Sequence, residues 1–209
     1  MRGAGTEVST IAHMAAGQIL PWLRAFDGYQ GFLLLADVET GSARLLSMWE
    51  SEDALERSER GRREMRESMI AAAGAEIERV ERYELFAGDD LPTATAEAQA
   101  GEEGPLLARV TTFAGAPESI EEGFRTFRDD LVHWFSDATG FRGWLALLDV
   151  PGGKSIGITL WASEEALADE AGSGAVLRNE VAAGLETTVT SVERYEVVLV
   201  ETLAPDEAG

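Results

Sequence analysis

The stretch "GFRGWLALLDVPGGKSIGITLWASEEAL", Gly140–Leu167, lies without a gap on "GYQGFLLLADVETGSARLLSMWESEDAL", Gly28–Leu55, when the chain is slid along itself by 112 residues. Extending the overlay to 28–84 on 140–196 gives 19 identities in 57 positions, ending in the pentapeptide VERYE at both Val80–Glu84 and Val192–Glu196. Identity of that density over that length reads as an internal duplication, and repetition decides architecture before any local feature does. Two copies are too few for a solenoid and fit two fused domains.

The second copy is complete and sets the element order. Leu107–Phe113 alternates and is rich in β-formers, so it reads as a strand. Ile120, Phe124, Phe127, Leu131 and Phe135 follow at the spacing of an amphipathic helix. Gly143–Val150 and Ser155–Trp161 are strands joined by the hairpin loop "PGGK". Ser163 caps a second helix that carries Glu164 and Glu165 in its first turn, which "GSG" (Gly172–Gly174) is expected to break before it resumes to about Ala183. Val189–Glu201 is the final strand. The order β-α-β-β-α-β is that of the ferredoxin-like split βαβ unit.

The first copy repeats this order from its helix onward, with Val8, Ala12, Ala15, Ile19 and Leu23 in the apolar positions. Pro21 is expected to kink that helix or end it early. Met1 aligns with Phe113, so the first strand of this copy has no counterpart, and a start assigned downstream of the true one would account for it. The expected division is therefore repeat 1 at 1–86, an acidic Pro/Gly-punctuated linker at 87–106, repeat 2 at 107–201 and a loose tail at 202–209. VERYE itself reads as strand in both copies, with apolar and charged residues on both faces, as at a junction of two sheets.

Composition bounds the function. The 209 residues are 45% hydrophobic and contain no cysteine, so the chain is globular, without disulfide or thiolate chemistry. Seventeen basic against 38 acidic residues give a net charge of −21, a field that repels phosphate backbones and makes nucleic acid an unsuitable partner. No apolar run is long enough to span a membrane and no signal peptide is legible, so the expected location is the cytoplasm.

A third strand ending in Trp (Trp49, Trp161), Ser-Glu-(Asp/Glu)-Ala-Leu opening a helix, and a last strand carrying Tyr-Glu resemble the antibiotic biosynthesis monooxygenase (ABM) group of the dimeric α/β-barrel superfamily. The resemblance implies an α+β fold in which two ferredoxin-like units pack sheet to sheet as a barrel within one chain, a monomer with an internal pseudo-dimer. It also implies a small hydrophobic or aromatic ligand and, for some relatives, cofactor-independent oxygenation of polyketide-type aromatics. The alternative is a non-catalytic ligand binder or a structural relic. The implied cavity residues are Trp161, Trp144, Tyr195 and Arg178, with Trp49, Phe32, Tyr83 and Arg66 in the first copy. Core packing is the competing reading for the tryptophans. A structural ion pair with the repeated Glu81/Glu193 or Glu84/Glu196 competes with carbonyl polarisation by the arginines.

No base stands out. Helical geometry turns His133 to solvent and His13 away from the apolar stripe, which speaks against haem and against histidine catalysis. Asp129 and His133 have i, i+4 metal-ligand spacing but lie on the same solvent face, so neither metal nor cofactor is expected. The arginines of "RSERGRREMR" (Arg57–Arg66) pair with glutamates at i, i+4 as a solvated face, with an acidic partner as the sharper alternative. Ala12 and Ala15, standing where the second copy has Phe124 and Phe127, place any open space in the first copy.

Overall fold

The computed structural model describes residues 13–72, 76–88, 91, 105–120, 138–184 and 186–202. They fall into two compact units: unit 1 takes the described residues up to Val80 and from Glu196 on, and unit 2 those of Glu81–Leu91 and Glu102–Tyr195. The division departs from the expected 1–86 and 107–201, because the last strand segment of each copy is grouped with the other copy's strands.

In unit 1, a π-helical turn at Ala15–Ile19 leads into the short helix α1, Leu20–Leu23. Pro21 lies in the first turn of α1, where its missing N–H costs least. The helix does not end at Pro21 but runs to Leu23, the last apolar position expected of it, and the Arg24 and Phe26 N–H groups close the last turn on the carbonyls of Leu20 and Leu23. Strands β1 (Tyr29–Asp37) and β2 (Ser42–Trp49) form an antiparallel hairpin, and helix α2 (Glu52–Ala72) follows. Ala15, Leu20 and Leu23 pack on Tyr29, Phe32, Leu34 and Ala43 of this hairpin. Each fully buried leucine contributes about 1.5–3 kcal/mol relative to exposure.

Unit 2 contains β3 (Glu84–Gly88), β4 (Leu107–Gly115), a helical turn at 117–120, β5 (Phe141–Asp149), β6 (Lys154–Trp161) and helix α3 (Glu164–Gly184). Strand β7 (Thr187–Thr202) then runs beside β4 and continues into unit 1 beside β1. Within unit 2 the neighbours run β7-β4-β6-β5-β3, which contains the 4-1-3-2 order of a ferredoxin-like sheet. Ser163 caps α3 through Oγ, which accepts the Ala166 N–H. The helix is not broken at Gly172–Gly174 but runs unbroken to Gly184. Each glycine lowers helix stability by only about 1 kcal/mol relative to alanine, and packing of the flanking turns (Leu167 and Ala182 are buried) exceeds that.

Main-chain pairing recurs at the 112-residue displacement. Glu84, Leu85, Ala87 and Gly88 pair with Leu148, Leu147, Ala146 and Leu145, while Glu196, Val197, Leu199 and Val200 pair with Ala36, Leu35, Leu34 and Leu33. Both ladders slip at the same point. The local devices recur too. Asp37 and Asp149 accept the N–H of Thr40 and of Gly152 and hold the two hairpin turns. The Thr40 hydroxyl also donates to Asp37 and draws its carboxyl below the usual range. Gly28 and Gly140 both have positive φ, and their carbonyls accept from Glu50 and Ala162.

Two readings of the first copy need correction or completion. VERYE is strand only in its second copy. Residues 76–83 are irregular, and β3 begins at Glu84 and runs to Gly88, into the expected linker. In the second copy Val192–Glu196 lies in the long β7, whose early part runs beside β4. Among the described residues no strand precedes β1 and none pairs with 76–83. For the same reason β2 is an edge strand, partly exposed along its length, whereas its counterpart β6 is flanked on both sides and mostly buried. Leu91, also inside the expected linker, is buried. Among the described residues no helix is long and apolar enough to cross a membrane.

Gly28 and Gly140 provide a test. A Cβ there would stand 2.7 Å from that of Ala54 and 2.5 Å from that of Ala166, on a backbone suited to glycine. Gly28→Ala and Gly140→Ala are each expected to lower unfolding free energy in urea by about 1–3 kcal/mol. Gly17→Ala, with nothing within 4 Å of its added Cβ, is expected to leave it within about 0.5 kcal/mol.

Candidate functional site

Strand alternation sorts each hairpin into a helix-facing and an opposite side. In unit 2 the register places Leu107, Arg109, Thr111 and Phe113 of β4 on the same side as Trp144, Ala146 and Leu148 of β5 and Ser155, Gly157, Thr159 and Trp161 of β6. Helical residues cover this side: Ile120 packs with Trp144, Ala146 and Leu148, and Ala166 and Leu167 pack with Leu107 and Trp161. Arg109 is only 5% exposed, and its Nη2 donates to the Leu167 carbonyl at 2.6 Å. Trp161 is fully buried, meets Phe141 edge-on at 5.6 Å, and donates through Nε1 to Thr159 Oγ1 at 2.9 Å. Thr111 and Ser155 are buried beside them.

On the equivalent side of unit 1 the first part of the hairpin is apolar, while Ser47 and the buried Glu201 of β7, both paired with Phe32, share that side. Phe32, Leu34, Ala43 and Leu45 stand where unit 2 has Trp144, Ala146, Ser155 and Gly157, and all four belong to the apolar cluster with Ala15 and Leu23. Leucines at 34 and 45 stand where unit 2 has the smaller Ala146 and Gly157. The expectation that the first copy holds the space rested on helix positions, of which Ala12, Phe124 and Phe127 lie outside the described residues and Ala15 is packed into the core.

The sequence-derived candidates separate on this map. Trp144 and Trp161 share the helix-facing side of unit 2. Trp49 and Phe32 share that of unit 1, with Trp49 half-buried, edge-on to Tyr29 at 5.7 Å and donating to Ser47 Oγ. Tyr195 is on the other side of its strand. It alternates with Arg194, which ion-pairs with Glu164 at the start of α3, and its own hydroxyl donates to Glu193 at 3.3 Å. Tyr83 is half-buried in the irregular segment. Arg66 is half-buried on α2 with its Nε buried and without a hydrogen-bond partner, and Glu81 pairs instead with Lys154 at 3.1 Å. The side chain of Arg178, with Asp129 and His133, lies outside the described residues. His13 is exposed, in keeping with its position off the apolar stripe. Among the described residues no group of three metal-ligating side chains occurs.

Unit 1 carries a polar cluster that periodicity did not reveal. Glu201 of β7 is buried and ion-paired with Arg24, whose Nε donates at 2.9 Å, and Tyr29 Oη donates to Glu201 at 3.3 Å. The three meet because Glu201 pairs with Phe32 in the β1–β7 ladder, across a separation of more than 160 residues. The available signal was chemical: an acidic residue ending a strand beside a lone arginine just past a helix.

No family model matches the chain, and no curated protein matches it. Solved structures do. An anthrone oxidase-like protein superimposes with a TM-score of 0.63 at 16% identity, covering 96% of this chain and 89% of that one. A candidate monooxygenase from Fusobacterium nucleatum subsp. nucleatum gives 0.61 at 11% identity, covering 94% and 86%. Another from Lactobacillus acidophilus gives 0.53 at 10% identity, covering 96% and 90%. The chain shares the fold of these structures. At these identities the likeness concerns the backbone alone, and the side chains must carry the functional argument.

Burial pushes the Tyr29 hydroxyl well above its usual range, and the Glu201 charge adds to the shift. An unfolded tyrosine ionises near pH 10, so stability supplied by neutral Tyr29 is complete below that pH and is lost as pH rises above it. Alkaline unfolding followed by circular dichroism is expected to show a fall in stability above about pH 10. Tyr29→Phe is expected to flatten that fall and to remove one late-ionising tyrosine from the absorbance titration at about 295 nm.

Proposed function

We propose that the chain is a cofactor-independent, ABM-type monooxygenase acting on an aromatic polyketide-type small molecule held over the helix-facing side of unit 2. The observation that carries this reading is the chemistry of that side: two tryptophans on the same face as the buried guanidinium of Arg109 and the buried hydroxyls of Thr111 and Ser155, where unit 1 keeps aromatics at the tryptophan positions (Phe32, Trp49) and has Ala43 for Ser155. Aromatic walls suit a flat ring, and a buried cation suits an oxygen that gains charge. The monooxygenase-like names of proteins with the same fold support the reaction class.

The reaction is a carbon-acid oxidation. A ring methylene flanked by aryl groups and conjugated to a carbonyl loses a proton and becomes an enolate. Arg109 then stabilises the oxygen that takes up the charge. The carbanion passes electrons to O₂, a C–O bond forms, and loss of water leaves a carbonyl, so that R₂CH₂ and O₂ become R₂C=O and H₂O. The tryptophans, Leu107 and Leu167 exclude bulk water, which strengthens the Arg109–enolate attraction.

A second reading, non-catalytic ligand binding, is favoured by one fact. On the helix-facing side of β4, β5 and β6 the described residues include no carboxylate and no histidine to act as base. Oxygen consumption with anthrone separates the readings. The oxygenase consumes one O₂ per anthrone and forms the anthraquinone. Arg109→Met is expected to lower kcat about 100-fold, the usual effect of removing one oxyanion-stabilising donor. No consumption, with a rise in Tm on adding anthrone, leaves binding alone.

A further inference from the structure

Ser155 is fully buried, and among the described residues its Oγ has no hydrogen-bond partner. A buried hydroxyl normally finds one, and an orphan costs stability. The residue faces the helix-covered side of unit 2, two positions along β6 from Gly157. Among the described residues a Cβ built on Gly157 meets the edge of the Phe113 ring, at 3.9 Å, an ordinary contact. Across the ladders from Gly157 stand Thr111 and Ala146, both small, and two positions further on stand Thr159 and Arg109, then Trp161. From Ser155 to Thr159 is four residues of strand, about 13 Å at the usual rise. The floor therefore has a hydroxyl at one end, a cation at the other, and a shallow middle. In unit 1 the counterparts of Ser155, Gly157 and Ala146 are Ala43, Leu45 and Leu34, which close the same position with apolar atoms.

We infer that Ser155 is the distal anchor of a ligand subsite on this floor, selecting a flat fused-ring compound that carries oxygen at both ends. One oxygen, phenolic or enolic, lies toward Arg109. The second, a hydroxyl or carbonyl, hydrogen-bonds Ser155 Oγ. The ring lies over Gly157 and Thr111, next to the Ile120 contact on Ala146 and Trp144. This rests on the reading that unit 2 receives an aromatic small molecule, and it adds which end of that molecule is recognised and by what. Thr111 lines the middle of the floor, where its hydroxyl can meet a ring substituent.

Two probes differing by one hydroxyl test it: 2,6-dihydroxynaphthalene and 2-naphthol, titrated against the full chain by tryptophan fluorescence and calorimetry. The wild type is expected to bind the diol about fivefold to tenfold more tightly, the worth of one neutral hydrogen bond. Ser155→Ala is expected to bring the diol to the affinity of 2-naphthol while leaving 2-naphthol unchanged. It is also expected to raise the Tm of the ligand-free protein, because it removes an unpartnered buried hydroxyl. Gly157→Leu, which copies the leucine of unit 1, is expected to abolish binding of both with its circular dichroism unchanged. A diol preference that survives Ser155→Ala overturns the inference, as does failure of the wild type to bind either probe. A Ser155→Ala variant with lowered Tm and unaltered affinities identifies a packing residue and overturns it as well. Because these readouts are equilibrium binding, absence of oxygen consumption with anthrone defeats the oxygenase reading without touching this one. Consumption of oxygen with an unchanged diol preference in Ser155→Ala does the reverse.

Discussion

Every strand in this protein must place its N–H and C=O groups on a neighbouring strand, and that requirement sets where each begins and ends. β7 reaches 16 residues because its early part runs beside β4 and its later part pairs with β1. β3 is five residues because only its counterpart of that later part finds a ladder, against β5. The same pentapeptide, VERYE, is strand at 192–196 and mostly irregular at 80–84 for this reason. Intrinsic propensity is identical in the two places, so the difference belongs to the partner.

Once the ladders fix the backbone, side-chain volume decides what each unit can hold. The hairpins of the two units share register, turn chemistry and the Trp-to-hydroxyl hydrogen bond at the end of the second strand. They differ in what stands on the helix-facing side. Unit 1 closes it with leucines, contributing to a continuous apolar core. Unit 2 places Arg109, Thr111 and Ser155 there, each a costly residue to bury. Native interiors accept such groups where a hydrogen bond or a ligand compensates; in unit 1 the buried carboxylate on the counterpart side, Glu201, is compensated by Arg24 and Tyr29, whereas among the described residues Ser155 in unit 2 is not, and this side carries the functional reading.

Unit 1 meets the burial of charge in another way. Glu201 sits at the margin of the core and is held by Arg24 from beyond a helix end and by Tyr29 from the start of β1. Arg24 is half exposed, so the pair keeps contact with solvent and avoids most of the desolvation cost of a deeply buried ion pair. The cluster ties α1 and the hairpin to the last turns of β7, an attachment built from side chains.

The sequence by itself determined the hairpin strands and their loop, the helix that follows each hairpin, the capping serine of α3 and the match of one stretch to the other. All of these are written in local pattern, in spacing, or in a direct match of one stretch to another. It also pointed to Trp144 and Trp161, because large aromatics ending or centring a strand are visible as residue types. It did not determine that α3 continues through Gly172–Gly174, that β3 and the end of β7 take partners from the opposite copy, or that Tyr195 turns away from the tryptophans. Nor did it reveal Glu201 or Ser155. Those depend on ladder partners and burial contributed by residues tens to hundreds of positions away, and a hydrogen bond that is made or left unmade across such a distance leaves no trace in the local pattern of the chain.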